Sequence, residues 1–267
     1  MNRSLKFVLA GAAAVLAVGI GIYAVAPPAG PTVGGVSPTA SPTVSPSVPL
    51  SPSPTIAGPV EPTPLATETA LPTADLSPFA PGTYIVDDPF PVRLAVTVGQ
   101  GWRLWAPVGE DAAAIYKDSY DPPAGYGIVV AVIDNVYADA CDRFKGQLEP
   151  PIGPTPNDLA EALAAQPQTV SSPITDTMID GHAGKYLEYS VPTLVGSCNP
   201  DFSLHRWSGA AGSRQALQGE SDMVWILDVD GVRVVIDAFS FPGATAADLA
   251  ELRSIVESIQ IGPAGAG

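Results

Sequence analysis

The chain has 267 residues, and its 27 acidic side chains outnumber its 12 lysines and arginines, so its formal charge is −15. A strongly negative surface repels phosphate groups, and this charge excludes a general role in binding DNA or RNA. The length suits one or two domains.

The first 26 residues have the pattern of a membrane anchor. Arg3 and Lys6 precede an uncharged run from residue 7 to residue 26. As a helix that rises ~1.5 Å per residue, this run matches the ~30 Å hydrocarbon core of a bilayer. No other basic residue occurs before Arg93, so the positive-inside rule places the N-terminus in the cytoplasm and the remainder outside. We therefore predict a single-pass protein that contacts the membrane through residues 7–26.

A cleaved signal peptide is the alternative interpretation of the same segment. Ala24, Val25 and Ala26 match the small-residue pattern that signal peptidase requires. Pro27 and Pro28 follow at once and disfavour cleavage, and the apolar run exceeds the usual ~7–15 residues. The anchor is favoured, and both alternatives export the rest of the chain.

Residues 27–80 form a predicted linker that is rich in Pro, Ser and Thr. Its 14 prolines and 15 hydroxyl residues occur with no aromatic residue before Phe79. Such a segment cannot bury enough apolar surface to offset the entropy of ordering, and proline favours an extended spacer. We predict a disordered linker, either unmodified or O-glycosylated.

Residues 81–267 are predicted to form an exported globular α+β domain with an antiparallel sheet flanked by two helices. Alternating apolar residues in "PVRLAVTV", residues 91–98, predict a strand, and "WRLW", "AAAIYKD" and "GYGIVVAVIDNVY" predict three more. Altogether we expect eight to ten strands, most of them joined by hairpins.

Two capping boxes mark the predicted helices. Thr155 with Asp158 and Thr245 with Asp248 have the spacing at which a helix start satisfies its first amide groups. Apolar residues at helical spacing then predict the buried stripes: Leu159 and Leu163 in the first helix, and Leu249, Leu252, Val256 and Ile259 in the second.

Two Asp-Gly steps between alternating runs predict β-hairpins, because both turn positions favour positive φ. Asp180-Gly181 would set Asp176 opposite Lys185 across the strands. The second step, Asp230-Gly231, would set Asp228 opposite Arg233.

The second hairpin, "WILDVDGVRVVIDAF", also contains the D-x-D-G of a calcium loop. Ile226 occupies the position of the first acidic ligand, so a hairpin is favoured and no metal site is predicted. One face of this hairpin is wholly apolar and the other partly apolar, which predicts a central position covered on both sides. The wholly apolar face consists of Trp225, Leu227, Val229, Val232, Val234 and Ile236.

Cys141 and Cys198 are the two cysteines of the chain. In an exported domain they predict one disulfide, with free thiols or a metal pair as the alternatives.

No sequence motif identifies a catalytic residue, a ligand-binding residue or a cofactor site. The chain has no nucleophile elbow, phosphate-binding loop or zinc motif, and His182 and His205 are 23 residues apart. His182 lies beside a turn, while "SLHRWSG", residues 203–209, suits either the lining of a ligand cleft or, more commonly, an edge strand with one solvated face. Asp237 is predicted to lie partly buried opposite Val224, where a structural role is favoured over general acid or base catalysis.

The order of elements resembles that of the PsbP-like α-β-α sandwich group, which includes an extrinsic photosystem subunit and LpqN-type lipoproteins. The similarity rests on "GQGW", on "IDGHAGKYLEY" and on the closing hairpin and helix, and it covers roughly residues 81–262. It implies a non-catalytic accessory or binding module, and it transfers no ligand or catalytic residue. The chain differs from the lipoproteins in lacking a lipobox cysteine, and from the photosystem subunit in its predicted anchor.

Two functional hypotheses follow from the sequence. The first is a membrane-anchored extracytoplasmic module of the bacterial cell envelope that binds an unidentified ligand or partner protein without catalysis. The alternative is an exported hydrolase-type enzyme with its site near Asp237, which requires that residue in a cleft with a histidine within hydrogen-bond reach. A purely structural spacer on the cell surface is a third possibility.

Overall fold

The computed structural model describes residues 68–73, 76–192, 198–199, 203–209 and 212–262. The predicted anchor at residues 1–26 and most of the predicted linker lie outside these residues. Within the described ranges, no helix combines the length and apolar character that a membrane crossing needs.

The described part of the chain contains fifteen strands and two α-helices, and a 3-10 turn at Arg143–Lys145. The strands are β1 (Glu68–Ala70), β2 (Gly82–Val86), β3 (Arg93–Val98), β4 (Trp102–Ala106), β5 (Ala112–Lys117), β6 (Tyr126–Val132), β7 (Asn135–Val136), β8 (Val170–Ser171), β9 (Thr175–Ile179), β10 (His182–Ser190), β11 (Leu204–Gly209), β12 (Gly212–Ala216), β13 (Ser221–Val229), β14 (Val232–Ser240) and β15 (Gln260–Gly262). The helices are α1 (Pro156–Ala165) and α2 (Ala246–Glu257).

These strands form three sheets around one central layer. The central sheet has the order β4-β5-β6-β14-β13-β10-β8, with β9 also paired to β10. A four-stranded sheet, β1-β2-β3-β15, and helix α2 contribute to the core on one face, and a three-stranded sheet, β12-β11-β7, and helix α1 contribute to the core on the other. The predicted α+β class with a helix on each side is confirmed, and the two smaller sheets raise the number of strands above the predicted eight to ten.

The hairpin β13–β14 occupies the middle of the central sheet, as its apolar faces predict. The register pairs Asp228 with Arg233 and Val224 with Asp237, as expected from the Asp-Gly turn. Its wholly apolar face packs in the core that contains α2, which we call the first core. Ile226 and Val235 on the opposite face pack in the core that contains α1, the second core.

Both helices begin at the predicted capping boxes. Thr155 and Thr245 each accept from the backbone amide three residues ahead, and Asp158 and Asp248 accept from the amides of these threonines. In α1 the predicted stripe is buried. In α2 the prediction for Leu249 is wrong, because this residue is 39% exposed and Ile255 is buried in its place.

The folded region begins before residue 81, where the sequence placed its start. Strand β1 pairs in parallel with β2, and Leu71 is buried in the first core. The expected linker, residues 27–80, therefore overlaps the fold from residue 68, because a short Thr- and Ala-containing segment adds to an open sheet edge through backbone hydrogen bonds.

Cys141 and Cys198 form a disulfide, as predicted. The backbone amide of Asn199 donates to the carbonyl of Cys141 at 2.9 Å, and the side-chain amide of Asn199 donates to the carbonyl oxygens of Ala140 and Ser203. The disulfide and these bonds fix the segment before β11 against the 3-10 turn region.

Candidate functional site

Asp237 lies at the centre of a buried group of charged side chains. It has no exposed surface, and its side chain points from β14 into the second core. Arg214, on β12 of the three-stranded sheet, reaches across this core, and its Nε donates to Asp237 Oδ2 at 2.9 Å. The hydrogen-bond donor at this carboxylate is thus an arginine, where the hydrolase hypothesis required a histidine.

Arg214 binds three buried carboxyl groups. Besides Asp237, its Nη2 donates to Glu220 and, at 3.0 Å, to Asp222, while its Nη1 donates to the carbonyl oxygen of Gln215. Glu220 Oε2 also accepts from the amide of Leu217 at 2.7 Å. The three carboxylates raise the pKa of Arg214 well above its usual value and more than offset the lowering by burial. Arg214 therefore keeps its positive charge, and it is bound by three acidic side chains.

Asp222 and Asp237 form a carboxyl pair on one face of the hairpin. Burial raises the pKa of Asp222 well above its usual value, and the charges of Glu220 and Asp237 raise it further. Asp222 Oδ2 and Asp237 Oδ1 have no hydrogen-bond partner in the described part of the chain. The neutral form of Asp222 is therefore favoured in this group.

A second buried arginine lies next to this pair. Arg206 has no exposed surface, and its guanidinium lies over the ring of Tyr189 at 3.7 Å. Its three side-chain nitrogens have no hydrogen-bond partner among the described residues. Tyr189 is the cross-strand neighbour of Asp222, and burial raises the pKa of its hydroxyl well above the usual value. Arg206 supplies a second positive charge, so that two arginines offset two carboxylates once Asp222 carries a proton.

Two cavities share Arg214 and Trp105 in their walls, and we call them the Trp105 cavities. The first has a volume of about 210 Å³ and the second about 200 Å³. Both are lined by Trp105 and Arg214. The first also has small walls from Ala106, Ala112, Ala114 and Ala131, and a Trp207 wall from the three-stranded sheet. Larger side chains at these positions would fill the space between the sheets. The small alanines therefore leave a cavity on this side of the second core.

Four aromatic side chains, Trp105, Tyr120, Phe239 and Phe241, line the second cavity. Trp105 stacks on Tyr120 with ring centroids 5.8 Å apart and meets Phe239 edge-on at 5.5 Å. The guanidinium of Arg214 lies 5.3 Å from the centre of the Phe239 ring. Asp121 and Glu220 complete the lining together with Gln215, Leu217 and Phe241.

His205 lies near the first cavity, where its partners determine its tautomer. Its Nε2 is 3.0 Å from Arg143 Nη1, and its Nδ1 is 3.1 Å from Ser213 Oγ. An arginine can only donate, so Nε2 is the acceptor and Nδ1 carries the hydrogen that points at Ser213. In this tautomer His205 cannot remove a proton from Ser213, which lines the cavity.

The expectation that residues 203–209 form an edge strand is wrong. Strand β11 is the middle strand of its sheet, and Leu204 to Ser208 are buried. The amide of His205 donates to the carbonyl of Ala140, and Gln166 Nε2 donates to the carbonyl of Arg206. The disulfide-linked segment and the end of α1 thus bond to the backbone of this strand.

The remaining candidate residues have local structural roles. Asp228 accepts from the amide of Gly231 and closes the turn, while Arg233 donates to the carbonyl oxygens of Gly153, Thr155 and Ile133. His182 is half-buried beside the first turn, where Lys185 pairs with Asp176. No group of three metal-ligating side chains occurs within the described ranges.

A larger cleft of about 630 Å³ opens at one end of the central sheet. Ser190, Ser221 and Ser240 lie in one row across β10, β13 and β14 at its floor. The ion pair between Arg253 and Glu188 at its side is half-exposed. Asp222, from the buried charged group, also lines this cleft, and Tyr189 is the aromatic residue among its described walls.

The sequence indicated Asp237 as a candidate residue but did not indicate its partners. The signal for Asp222 was available, because a register that sets Asp237 opposite Val224 puts Asp222 diagonally beside it on the same face. Arg214 and Trp105 reach the site from other sheets, and no local pattern connects them with Asp237.

The chain matches no family model and no curated protein. It is similar to the solved structure of LpqN from Mycobacterium tuberculosis, a protein described as involved in cell envelope biogenesis, with 14% identity over 74% of this chain and 90% of that one and a TM-score of 0.36. It is also similar to the cyanobacterial PsbP of Synechocystis, with 10% identity over 75% and 100% of the two chains and a TM-score of 0.36. The resemblance to the PsbP-like group expected from the sequence is therefore confirmed, and at these scores it assigns no ligand, partner or activity.

Proposed function

We propose that this chain is a membrane-anchored, extracytoplasmic module of the bacterial cell envelope that binds a small ligand in the Trp105 cavities without transforming it. The observation that carries the proposal is the pair of cavities at Arg214 and Trp105, of about 210 and 200 Å³, whose walls are mainly aromatic and aliphatic. Binding sites typically combine such walls with a few polar groups that orient the ligand.

The size of each cavity supports a ligand group about as large as one ring. An engineered apolar cavity of about 150 Å³ binds benzene. Each Trp105 cavity exceeds that volume and is smaller than the ~300–1,000 Å³ of sites that enclose a complete drug-sized molecule. A single ring, or a branched group of similar size, is therefore the unit that fits.

The state of the nearby titratable groups supports binding without catalysis. Asp237 and Asp222 have almost no exposed surface, and Arg214 donates to both. His205 presents a hydrogen to Ser213 where a nucleophile would need a base. Acid–base or nucleophilic chemistry needs a side chain that is exposed to the ligand and has the right protonation state. None of these side chains meets both requirements.

Two features support the location outside the membrane. The uncharged run at residues 7–26 follows Arg3 and Lys6, and the chain carries a disulfide between Cys141 and Cys198. Disulfides persist in oxidising compartments and are rare in the cytosol.

The four tryptophans allow a direct test of binding. Trp105 and Trp207 line the first cavity, while Trp102 and Trp225 lie in the first core on the other face of the central sheet. In the full chain labelled with fluorotryptophan, titration with benzyl alcohol should shift the fluorine NMR signals of Trp105 and Trp207 saturably and leave those of Trp102 and Trp225 in place.

A cavity-filling variant identifies the place of binding. Ala112 is half-buried in the wall of the first cavity, so Ala112→Leu should weaken binding by about 5-fold or more. Ala183 is exposed on β10, and Ala183→Leu is the matched control that should bind as the native chain does. Equal affinity in both variants, or no saturable shift in the native chain, would reject the proposed site.

A further inference from the structure

We infer that the ligand of the Trp105 cavities is a small organic cation, with an ammonium group that is alkylated or attached to a compact apolar body. This inference rests on the proposed function and adds the chemical class of the ligand. It depends on the charge balance around Arg214, on the acids at the cavity walls and on the aromatic faces.

Arg214 is the cation that lines both cavities, and its hydrogen-bonding capacity is nearly exhausted. A guanidinium has five N–H groups. Arg214 uses four of them: one for Asp237, one for Glu220, one for Asp222 and one for the carbonyl of Gln215. An anionic ligand would find one remaining N–H and would lie close to three carboxyl groups that already compete for this arginine.

The charges around the cavities sum to a negative value. Asp111 lines the first cavity, and Asp121 and Glu220 line the second. Behind them lie Asp237 and Asp222. Five acidic side chains thus face two arginines, Arg214 and the fully buried Arg206, so acids outnumber bases around the cavities.

The aromatic faces suit a cation as well. Trp105 is common to both cavities, Trp207 lines the first, and Tyr120, Phe239 and Phe241 line the second. The face of an aromatic ring carries a negative electrostatic potential that attracts an ammonium group held against it, with tryptophan the best partner. Arg214 already uses the Phe239 ring in this way, at 5.3 Å.

The charge of the whole chain favours the same class of ligand. The formal charge of −15 raises the local concentration of cations and speeds their arrival at a cleft lined with acids. A neutral ring would gain only from burial, and an anion would be repelled both at a distance and by Glu220 at the wall.

A series of isosteres separates charge from shape. Choline, dimethylbutanol as its neutral carbon isostere and dimethylbutanoate as an anion of similar shape are titrated into the fluorotryptophan-labelled full chain. We expect choline to shift the Trp105 and Trp207 signals with an affinity about 3- to 30-fold higher than that of the alcohol, and we expect the anion to bind most weakly. If the alcohol or the anion bound as tightly as choline, the cation assignment would be overturned while the cavity remained a binding site. If benzyl alcohol and all three isosteres failed to shift these signals, the proposed function would fail with it.

Charge variants provide a second readout. Asp121 is exposed at the second cavity, and Asp121→Asn should weaken choline binding by about 2- to 5-fold without changing the affinity for the alcohol. Glu257 is exposed on α2, which packs against the other face of the central sheet, so Glu257→Gln removes one charge at a distance and should leave both affinities unchanged. An equal effect of the two variants would show only a general influence of net charge and would contradict a cation site at this place.

Discussion

Asp222 and Asp237 are diagonal neighbours on one face of the central hairpin, and Arg214 donates to both carboxyl groups. This relationship raises the pKa of Asp222, because burial and a neighbouring carboxylate both disfavour its charged form. The hairpin sets their distance, while the arginine comes from another sheet. The pair therefore reports whether the second core is correctly assembled.

The first prediction concerns the pH dependence of stability. The pKa of Asp222 is raised in the folded state, so its contribution to stability is complete below the unfolded pKa of about 3.9 and is lost as pH rises towards the folded value. Asp222→Asn keeps the size and shape of the side chain and removes the titration. The free energy of unfolding of the native chain should carry a component that falls by up to about 1.4 kcal/mol per pH unit above pH ~4, and the variant should lack this component. Urea unfolding of both chains between pH 4 and pH 8 measures the difference, and identical slopes would show that Asp222 is ionised in the fold.

The second prediction compares the two buried arginines. Arg214→Met leaves Glu220, Asp222 and Asp237 without their shared donor, so we expect a loss of about 3–5 kcal/mol in the free energy of unfolding. Arg206→Met removes a cation that stacks on Tyr189 without a hydrogen bond, and we expect a clearly smaller loss. Urea denaturation at one pH compares the variants directly. A larger loss for Arg206→Met would mean that its charge, rather than the hydrogen bonds of Arg214, holds the group together.

The sequence predicted the parts of the fold that depend on neighbours along the chain. The turn at Asp230-Gly231 fixes the register of β13 and β14, and this register placed Asp237 opposite Val224. The capping boxes at Thr155 and Thr245 fixed both helix starts for the same reason, since each depends on four consecutive residues.

The parts that could not be predicted depend on contacts between distant segments. Nothing local to "GSRQA" shows that Arg214 crosses the second core to Asp237, because the approach of the three-stranded sheet is a tertiary event. Similarly, the amphipathic pattern of α2 did not distinguish the exposed Leu249 from the buried Ile255, since the buried face is set by how the helix packs on the core. The cavity at Ala112 and Ala114 cannot be recognised from the sequence, because its outer wall comes from the three-stranded sheet, whose position the sequence does not give.

The third prediction tests the corrected face of α2. Leu252 has no exposed surface, whereas Leu249 is 39% exposed. Truncation of a fully buried leucine costs about 2–5 kcal/mol, because both transfer free energy and packing are lost. We therefore expect Leu252→Ala to lower the free energy of unfolding by that amount and Leu249→Ala to lower it by less than about 1 kcal/mol. Similar losses in the two variants would show that Leu249 is part of the buried face of α2, as the sequence pattern indicated.

The fourth prediction concerns the disulfide. Cys141 and Cys198 are separated by 57 residues, and closing a loop of this length stabilises the fold by about 4 kcal/mol in the chain-entropy model. The double variant Cys141→Ser and Cys198→Ser should therefore unfold at a lower urea concentration. Labelling with a thiol reagent should modify neither cysteine of the native chain without reductant, and modification of both would show that the bond is absent.

The last prediction concerns the topology, which depends on the sequence of residues 1–26. If residues 7–26 stay in the membrane as a helix, the folded region lies outside, joined through the Pro-rich segment. Protease added to intact cells should then remove the folded region, with the cleavage sites in the segment before residue 68, because the strands that follow are paired and their backbone is protected. An antibody against the folded region should find it in the membrane fraction before treatment and lose it afterwards. Protection from protease in intact cells, or a mature chain that begins near residue 27 and is found in the medium, would contradict the tethered arrangement.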